Sequence, residues 1–416
     1  MCAIQAVIYQ KLSKLNAEFV DNIKKISEAN TRRGPDIQGA HLVEVEANNG
    51  KTYLIQFKGF VLSLRGEKTT QPIICENSGN IFLWNGEVFD GVEMNFEQND
   101  GKTLFLGLEE KSENEKDVLE FFQKIRGPYS FMYYQTLPYH EIQVETNEIT
   151  ATENQNILSL NDFVASNETK MLIEELEAKL YASLKVRIES SINSGITGLA
   201  GVKELRKRYP TRIWNWVEVN VLYEEVLQHR QHIIDLLGPN YTVMDLSIGM
   251  ALWFAARGEG TMYSSEKSLG EHNYRSPAKI LILGSGADEQ FGGYSRHRKG
   301  YEAGGITQLS KEIKFDVERI SKRNLGRDDR IISDHGREAR FPYLDESVVD
   351  FLSSIATSSK MNLSLPRGIG DKLLLRLVAF NMGLKVTSMQ AKRAIQFGAR
   401  TAKMESGKDK GDDVLL

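Results

Sequence analysis

Ile280-Leu281-Ile282-Leu283-Gly284-Ser285-Gly286-Ala287-Asp288-Glu289-Gln290-Phe291-Gly292-Gly293-Tyr294 decides how the second half of this chain folds. Four apolar residues read as a short buried strand, glycines break it, and carboxylates follow where a helical pattern begins. A strand that opens into glycines holds phosphate oxygens through backbone N–H groups, and the carboxylates suit the magnesium that accompanies them. Gly284, Gly286 and Asp288 are therefore the candidate residues for ATP or pyrophosphate, with Asp288 also the candidate metal ligand.

Upstream of this run, strand-like and helical stretches alternate: a helix over 167–191 with Leu172, Leu176, Leu180, Leu184 and Ile188 as a core-facing stripe, then a strand at 212–219. Helices at 222–237 and 245–257 and the strand 279–283 follow. Such alternation predicts a parallel sheet covered by helices. Downstream the pattern is mostly helical and ends in a polar tail, 405–413. The first 135 residues differ. Short β-like runs at 3–9, 52–57, 60–64, 81–84 and 129–134 are broken by Gly, Asn and Asp, with helical candidates at 9–28 and 114–125. Val118, Leu119, Phe122 and Ile125 form the expected buried face of the latter. The expected organisation is a first domain over 1–135, a polar linker over 136–167 and a second domain over 168–416.

A chain of 416 residues suits two or three domains. No stretch approaches the roughly 20 apolar residues that span a bilayer, and the start shows no secretory pattern, so a cytoplasmic protein without a membrane partner is expected. Net charge is −4, which argues against a nucleic-acid surface. Two cysteines make no disulfide framework, and the pair His229 and His232 reads as a solvated helix face rather than a metal site.

Removal of Met1 would leave Cys2 with both a thiol nucleophile and an adjacent α-amine to take its proton. Arg33-Gly34-Pro35-Asp36, Gln71-Pro72 and Asn85-Gly86-Glu87 follow it in order. Asn85-Gly86 after an apolar strand reads either as a hairpin turn or as an amide and N–H able to stabilise an oxyanion. This order resembles the class II glutamine amidotransferases. The second half resembles the asparagine synthetases, through 284–294, Arg323-Asn324-Leu325-Gly326-Arg327-Asp328-Asp329-Arg330, Gly370-Asp371-Lys372 and Lys392-Arg393-Ala394-Ile395-Gln396-Phe397-Gly398.

The resemblance implies an α/β chain: an αββα glutaminase-like sandwich followed by an adenine-nucleotide α-hydrolase-like domain with a parallel sheet. It implies Cys2 as glutaminase nucleophile, Asn85 and Gly86 as the oxyanion site, and Glu87 with Asp100 on the glutamine α-amino group. Asp288 would hold magnesium, and Lys372 would neutralise the reacting phosphates. ATP and Mg2+ are the implied cofactors, and glutamine and aspartate the implied substrates of asparagine biosynthesis; no protein partner is indicated.

The chain also departs from the pattern. Cys2-Ala3 replaces Cys-Gly, Val61 stands where an arginine would hold the glutamine carboxylate, with Arg65 nearby, and a hairpin after Gly127-Pro128-Tyr129-Ser130-Phe131 is missing. Ser285 replaces an acidic proton acceptor, and no Ser-Gly-Gly-x-Asp-Ser loop follows the helix ending near Ile188. The expectation is a degenerate asparagine synthetase. The alternative is a pseudoenzyme or incomplete isoform acting through binding, with at most residual glutaminase activity.

Overall fold

Ile81-Phe82-Leu83-Trp84 is buried on both sides, and this is possible because it lies between two layers of the first of two units. The computed structural model describes residues 2–415 except segments 12–15, 47–49, 112–113, 137–166, 190–193, 196–198, 266–267 and 402–412 and positions 96, 391, 393 and 400. The expected linker and polar tail thus lie almost wholly outside the described residues. Unit 1 comprises 1–147, 186–192 and 333–338, and unit 2 the rest.

Unit 1 contains two antiparallel sheets. Strands β1 (Ala3–Gln10), β2 (Ile37–Glu46) and β3 (Thr52–Val61) form one in the order β1-β3-β2; β4 (Ile73–Ile74), β5 (Ile81–Gly86) and β6 (Tyr129–Tyr134) form the other in that order. Side chains alternate along β5, so Ile81 and Leu83 meet Phe57 and Ile55 of the facing sheet while Phe82 and Trp84 point the other way. There they pack on α2 (Asp100–Glu109) and α3 (Glu115–Lys124) through Leu104, Phe105, Leu108, Phe121 and Phe122. Helix α1 (Ala17–Arg33) lies on the remaining sheet, where Ser27 and Asn30 donate to Gln5.

Several expectations shift here. Residues 9–28 are not one helix: β1 runs to Gln10, and α1 starts where Asn16 accepts the Phe19 N–H at 2.7 Å. The runs 52–57 and 60–64 merge into β3, whose Gly59 is needed because a Cβ would meet Gln71 Cβ at 2.4 Å. On α3, Leu119 is 55% exposed and Phe121 takes the inward position.

Unit 2 is mainly helical. Leu176 and Leu180 of the helix Asn167–Glu189 are buried with Phe291, Phe351 and Leu374; the side chain of Ile188 lies outside the described residues. The helices Tyr223–Leu237 and Val243–Arg257 share a second core with Ile331. His229 is half-buried, its ring 4.7 Å from Trp253, so it packs rather than lying on a solvated face.

Among the described residues the expected single alternating sheet is instead two. Strands β7 (Ser194–Gly195), β11 (Ile280–Ile282) and β12 (Glu338–Arg340) are ordered β12-β11-β7, with β7 and β11 parallel. Strand β8 (Trp216–Glu218) pairs antiparallel with β9 (Glu259–Tyr263), which pairs with β10 (Glu271–Arg275). Gly258, left-handed at φ 69°, ends the preceding helix and turns the chain into β9, so the strand at 212–219 finds a partner away from β11.

Candidate functional site

Two groups of side chains carry chemistry, one in each unit. In unit 1 the Arg33-Gly34-Pro35-Asp36 motif builds the wall beside Cys2. Gly34 lies so close to β3 that a Cβ would sit 2.1 Å from Phe60 O, and Asp36 Oδ2 accepts the Ser63 N–H at 2.8 Å. This fixes the chain on both sides of Leu62, whose N–H donates to Cys2 Sγ at 3.4 Å while the thiol points to Leu62 O at 3.7 Å. Gln71 closes another wall: its amide donates to Trp84 O at 2.9 Å and accepts the Trp84 N–H at 2.7 Å, fixing β5 just before Asn85.

Cys2, Gly86, Glu87 and Asp100 line one cavity with Arg65, Trp84 and Glu338. Its volume is about 20 Å³, the space of a single water. Asn85 does not line it, and its Oδ1 is buried without a hydrogen-bond partner among the described residues. Asp100 accepts from Trp84 Nε1 at 3.2 Å and from the Gly101 N–H at 2.9 Å, yet burial raises its carboxyl pKa. Burial likewise pushes the Cys2 thiol up to about 11, with Asp100 and Glu338 adding to the rise. Arg65, which lies near the position of the missing carboxylate-binding arginine, donates to the carbonyls of Val88 (3.2 Å), Asn95 (2.9 Å) and Gln98 (3.3 Å).

In unit 2 the glycine run is held from below by a buried carboxylate. Glu289 accepts from the Gly286 N–H (3.0 Å), Tyr294 OH (2.6 Å) and Asn324 Nδ2 (2.7 Å), so one side chain ties both ends of the run together. Gly286 has φ 96°, and a Cβ there would strike Leu344 at 2.6 Å. At Gly284 the same atom would meet nothing within 4 Å, so the run opens into space on that side.

Asp288 projects between two ammonium groups. Lys372 Nζ lies 2.7 Å from Oδ1 and Lys392 Nζ 3.2 Å from Oδ2. Burial opposes ionisation of Asp288, but the two lysines outweigh it and hold the carboxyl below its ordinary range. Gly293 leaves room beside them: a Cβ would fall 1.9 Å from Asp288 Oδ1 and 2.8 Å from Lys372 Cε, so a larger residue would require these two side chains to shift. Lys372 reaches its position from left-handed backbone at φ 56°. Lys392 lies over the Tyr294 ring, 4.9 Å from its centre.

The structure thus joins Asp288 to Lys372, as residues of one site, and adds Lys392, which the sequence displayed only within a longer matching run. The two oxygens of Asp288 are both engaged by cations, and among the described residues no three His, Cys, Asp or Glu side chains gather as metal ligands. The residues present do not fit magnesium. They do fit phosphate oxygens, which Lys372 and Lys392 would hold. At Ser285 the missing acid has a neighbour: Ser285 Oγ donates to Asp328 Oδ2 at 3.3 Å, and Arg327 grips the other oxygen of Asp328.

Residues 301–384 match the family described as asparagine synthase, a segment that contains Lys372. Over its whole length the chain is similar to asparagine synthetase domain-containing proteins. Asparagine synthetase domain-containing protein 1 of Bos taurus is 29% identical over 635 aligned positions, covering 99% of this chain and 97% of the relative. Those positions exceed the 416 residues present, so the relative carries sequence with no counterpart here. The Homo sapiens protein of that name is 53% identical over 224 residues, 54% of this chain and 34% of the relative. A putative glutamine-hydrolysing asparagine synthetase of Methanocaldococcus jannaschii is 40% identical over 115 residues, 27% of this chain and 21% of the relative.

Proposed function

We propose that this chain is a degenerate relative of the glutamine-hydrolysing asparagine synthetases, which keeps a phosphate-anion site in its second domain and does not amidate aspartate. On this reading residues 1–135 are the glutaminase-like sandwich and 168–416 the synthetase-like, nucleotide-hydrolase-type domain. The observation that carries it is Asp288 clamped between Lys372 and Lys392: the carboxylate expected to hold magnesium is neutralised by side chains of the chain itself. ATP, if bound, would place phosphate oxygens against Lys372 and Lys392 beside Gly284.

The purified chain, given glutamine, aspartate, ATP and magnesium, is expected to yield neither asparagine nor AMP, measured by chromatography. Asparagine formation at a steady rate would overturn the proposal. Residual glutaminase chemistry is a second reading, favoured by Cys2 sharing its cavity with Gly86, Glu87 and Asp100. An electrophilic glutamine analogue that labels Cys2 in folded protein would establish it, and an unlabelled protein would remove it.

A further inference from the structure

Two ammonium groups and one carboxylate leave the Asp288 cluster with one net positive charge. All three side chains are partly open to solvent, at 21% for Asp288, 18% for Lys372 and 24% for Lys392. The cluster is built rather than incidental. Gly293 leaves space where Asp288 and Lys372 approach, and Tyr294 is anchored through its hydroxyl to Glu289 while its ring supports Lys392. The His297 ring packs against the same tyrosine at 5.3 Å, and His297 is itself held by Asp316 at 2.6 Å. Lys392 is therefore aimed at Asp288 by a chain of fixed contacts.

Magnesium keeps several of its waters and takes one or two carboxylates together with substrate phosphates. To bind here it would have to displace one ammonium from Asp288 and then sit against the other, a like-charge contact in a partly desolvated place. An anion meets the opposite situation. A phosphate oxygen can replace the Asp288 carboxylate as partner of either lysine without leaving a cation unpaired.

We infer that this cluster binds a diphosphate-type anion without a divalent metal, the two lysines standing in for the ion, and that Asp288 competes with the anion rather than helping to bind it. The inference rests on the phosphate-anion reading above and adds the chemistry by which the site works. Magnesium chelates free pyrophosphate and lowers its charge, so it weakens binding or leaves it unchanged.

The test is isothermal titration of the full chain with inorganic pyrophosphate, once in EDTA and once in magnesium. Binding in EDTA at least as tight as in magnesium is the expected result, and wild-type protein alone supplies it. In EDTA, Asp288→Asn is expected to tighten binding about fivefold by removing the competing carboxylate, and Lys392→Gln to weaken it about tenfold by removing a charge-assisted partner. Binding that appears only with magnesium, or an Asp288→Asn variant that binds no better than wild type, overturns the metal-free site while leaving the phosphate reading standing. No heat in either buffer overturns both.

Discussion

Cys2 is held by three short-range facts: the Leu62 backbone hydrogen bond, the enclosing wall of Val61, Leu64 and Trp84, and the carboxylates of Asp100 and Glu338. Burial, with the two carboxylates adding to it, keeps the thiol protonated against the Leu62 hydrogen bond, which favours the thiolate, and its pKa is pushed up to about 11. In a Cys75→Ser background, alkylation of Cys2 is expected to rise about tenfold per pH unit from neutrality and to level off only near pH 11, because the thiolate is the reacting form. A mass-spectrometric rate profile that flattens below pH 9 would contradict this. That Cys2, Gly86, Glu87 and Asp100 would gather was implied by the resemblance alone, and Asn85, implied with them, does not line their cavity. The engagement of Arg65 was not legible, since nothing in its local sequence says that its donors turn to the carbonyls of residues 88–98. Lys392 was hidden for a similar reason: a lysine distant in sequence becomes a site residue only when the fold brings it to Asp288.

The long helix Ser295–Ile320 shows how an element depends on one buried charge. It kinks at Gly304 and Gly305, and Asp316 on its second half binds His297 and Arg296 on its first, with Arg319 at 2.7 Å as a third partner. Although burial works against ionisation, the hydrogen bonds from His297 and Arg296 hold the Asp316 carboxyl at about 2, below its ordinary 3.8. A depressed carboxyl stabilises the fold above its unfolded value and loses that contribution as pH falls toward the folded one. Asp316→Asn is therefore expected to cost about 3 kcal/mol near neutrality, as a broken buried pair does, and to flatten the loss of stability between pH 4 and pH 2. Urea melts at several pH values measure both; a variant with wild-type acid sensitivity would refute the assignment. Strongly apolar elements such as β5 and the helix Val243–Arg257 could be read in advance because their burial is written in composition. The strand Trp216–Glu218 was placed in the wrong sheet because its partner is chosen by the turn at Gly258, which periodicity does not reveal.

Each of the two units of the molecule has its own apolar interior, Phe82 with the α2 and α3 side chains in one and Met250 with Ile233, Leu246 and Ile331 in the other. Phe82→Ala is expected to cost about 4 kcal/mol and to lower amide protection within residues 3–134 while the helix Val243–Arg257 keeps its own; hydrogen exchange read by mass spectrometry decides, and uniform loss would show one cooperative body instead. At this scale the β-rich character of the first part was visible in the pattern of apolar residues, whereas the second part was expected as one parallel sheet covered by helices. The composition of unit 1 was not visible, because 333–338 joins it from far along the chain and contributes Glu338 to the Cys2 cavity. Lys372 affects the whole molecule in another way. Its left-handed backbone burdens the native state by about 1 kcal/mol that a glycine would spare, so Lys372→Gly should melt above Lys372→Ala while both lose the anion. The difference between those two melting temperatures is a gauge of how much conformational ease this protein surrenders to keep a positive charge at that spot.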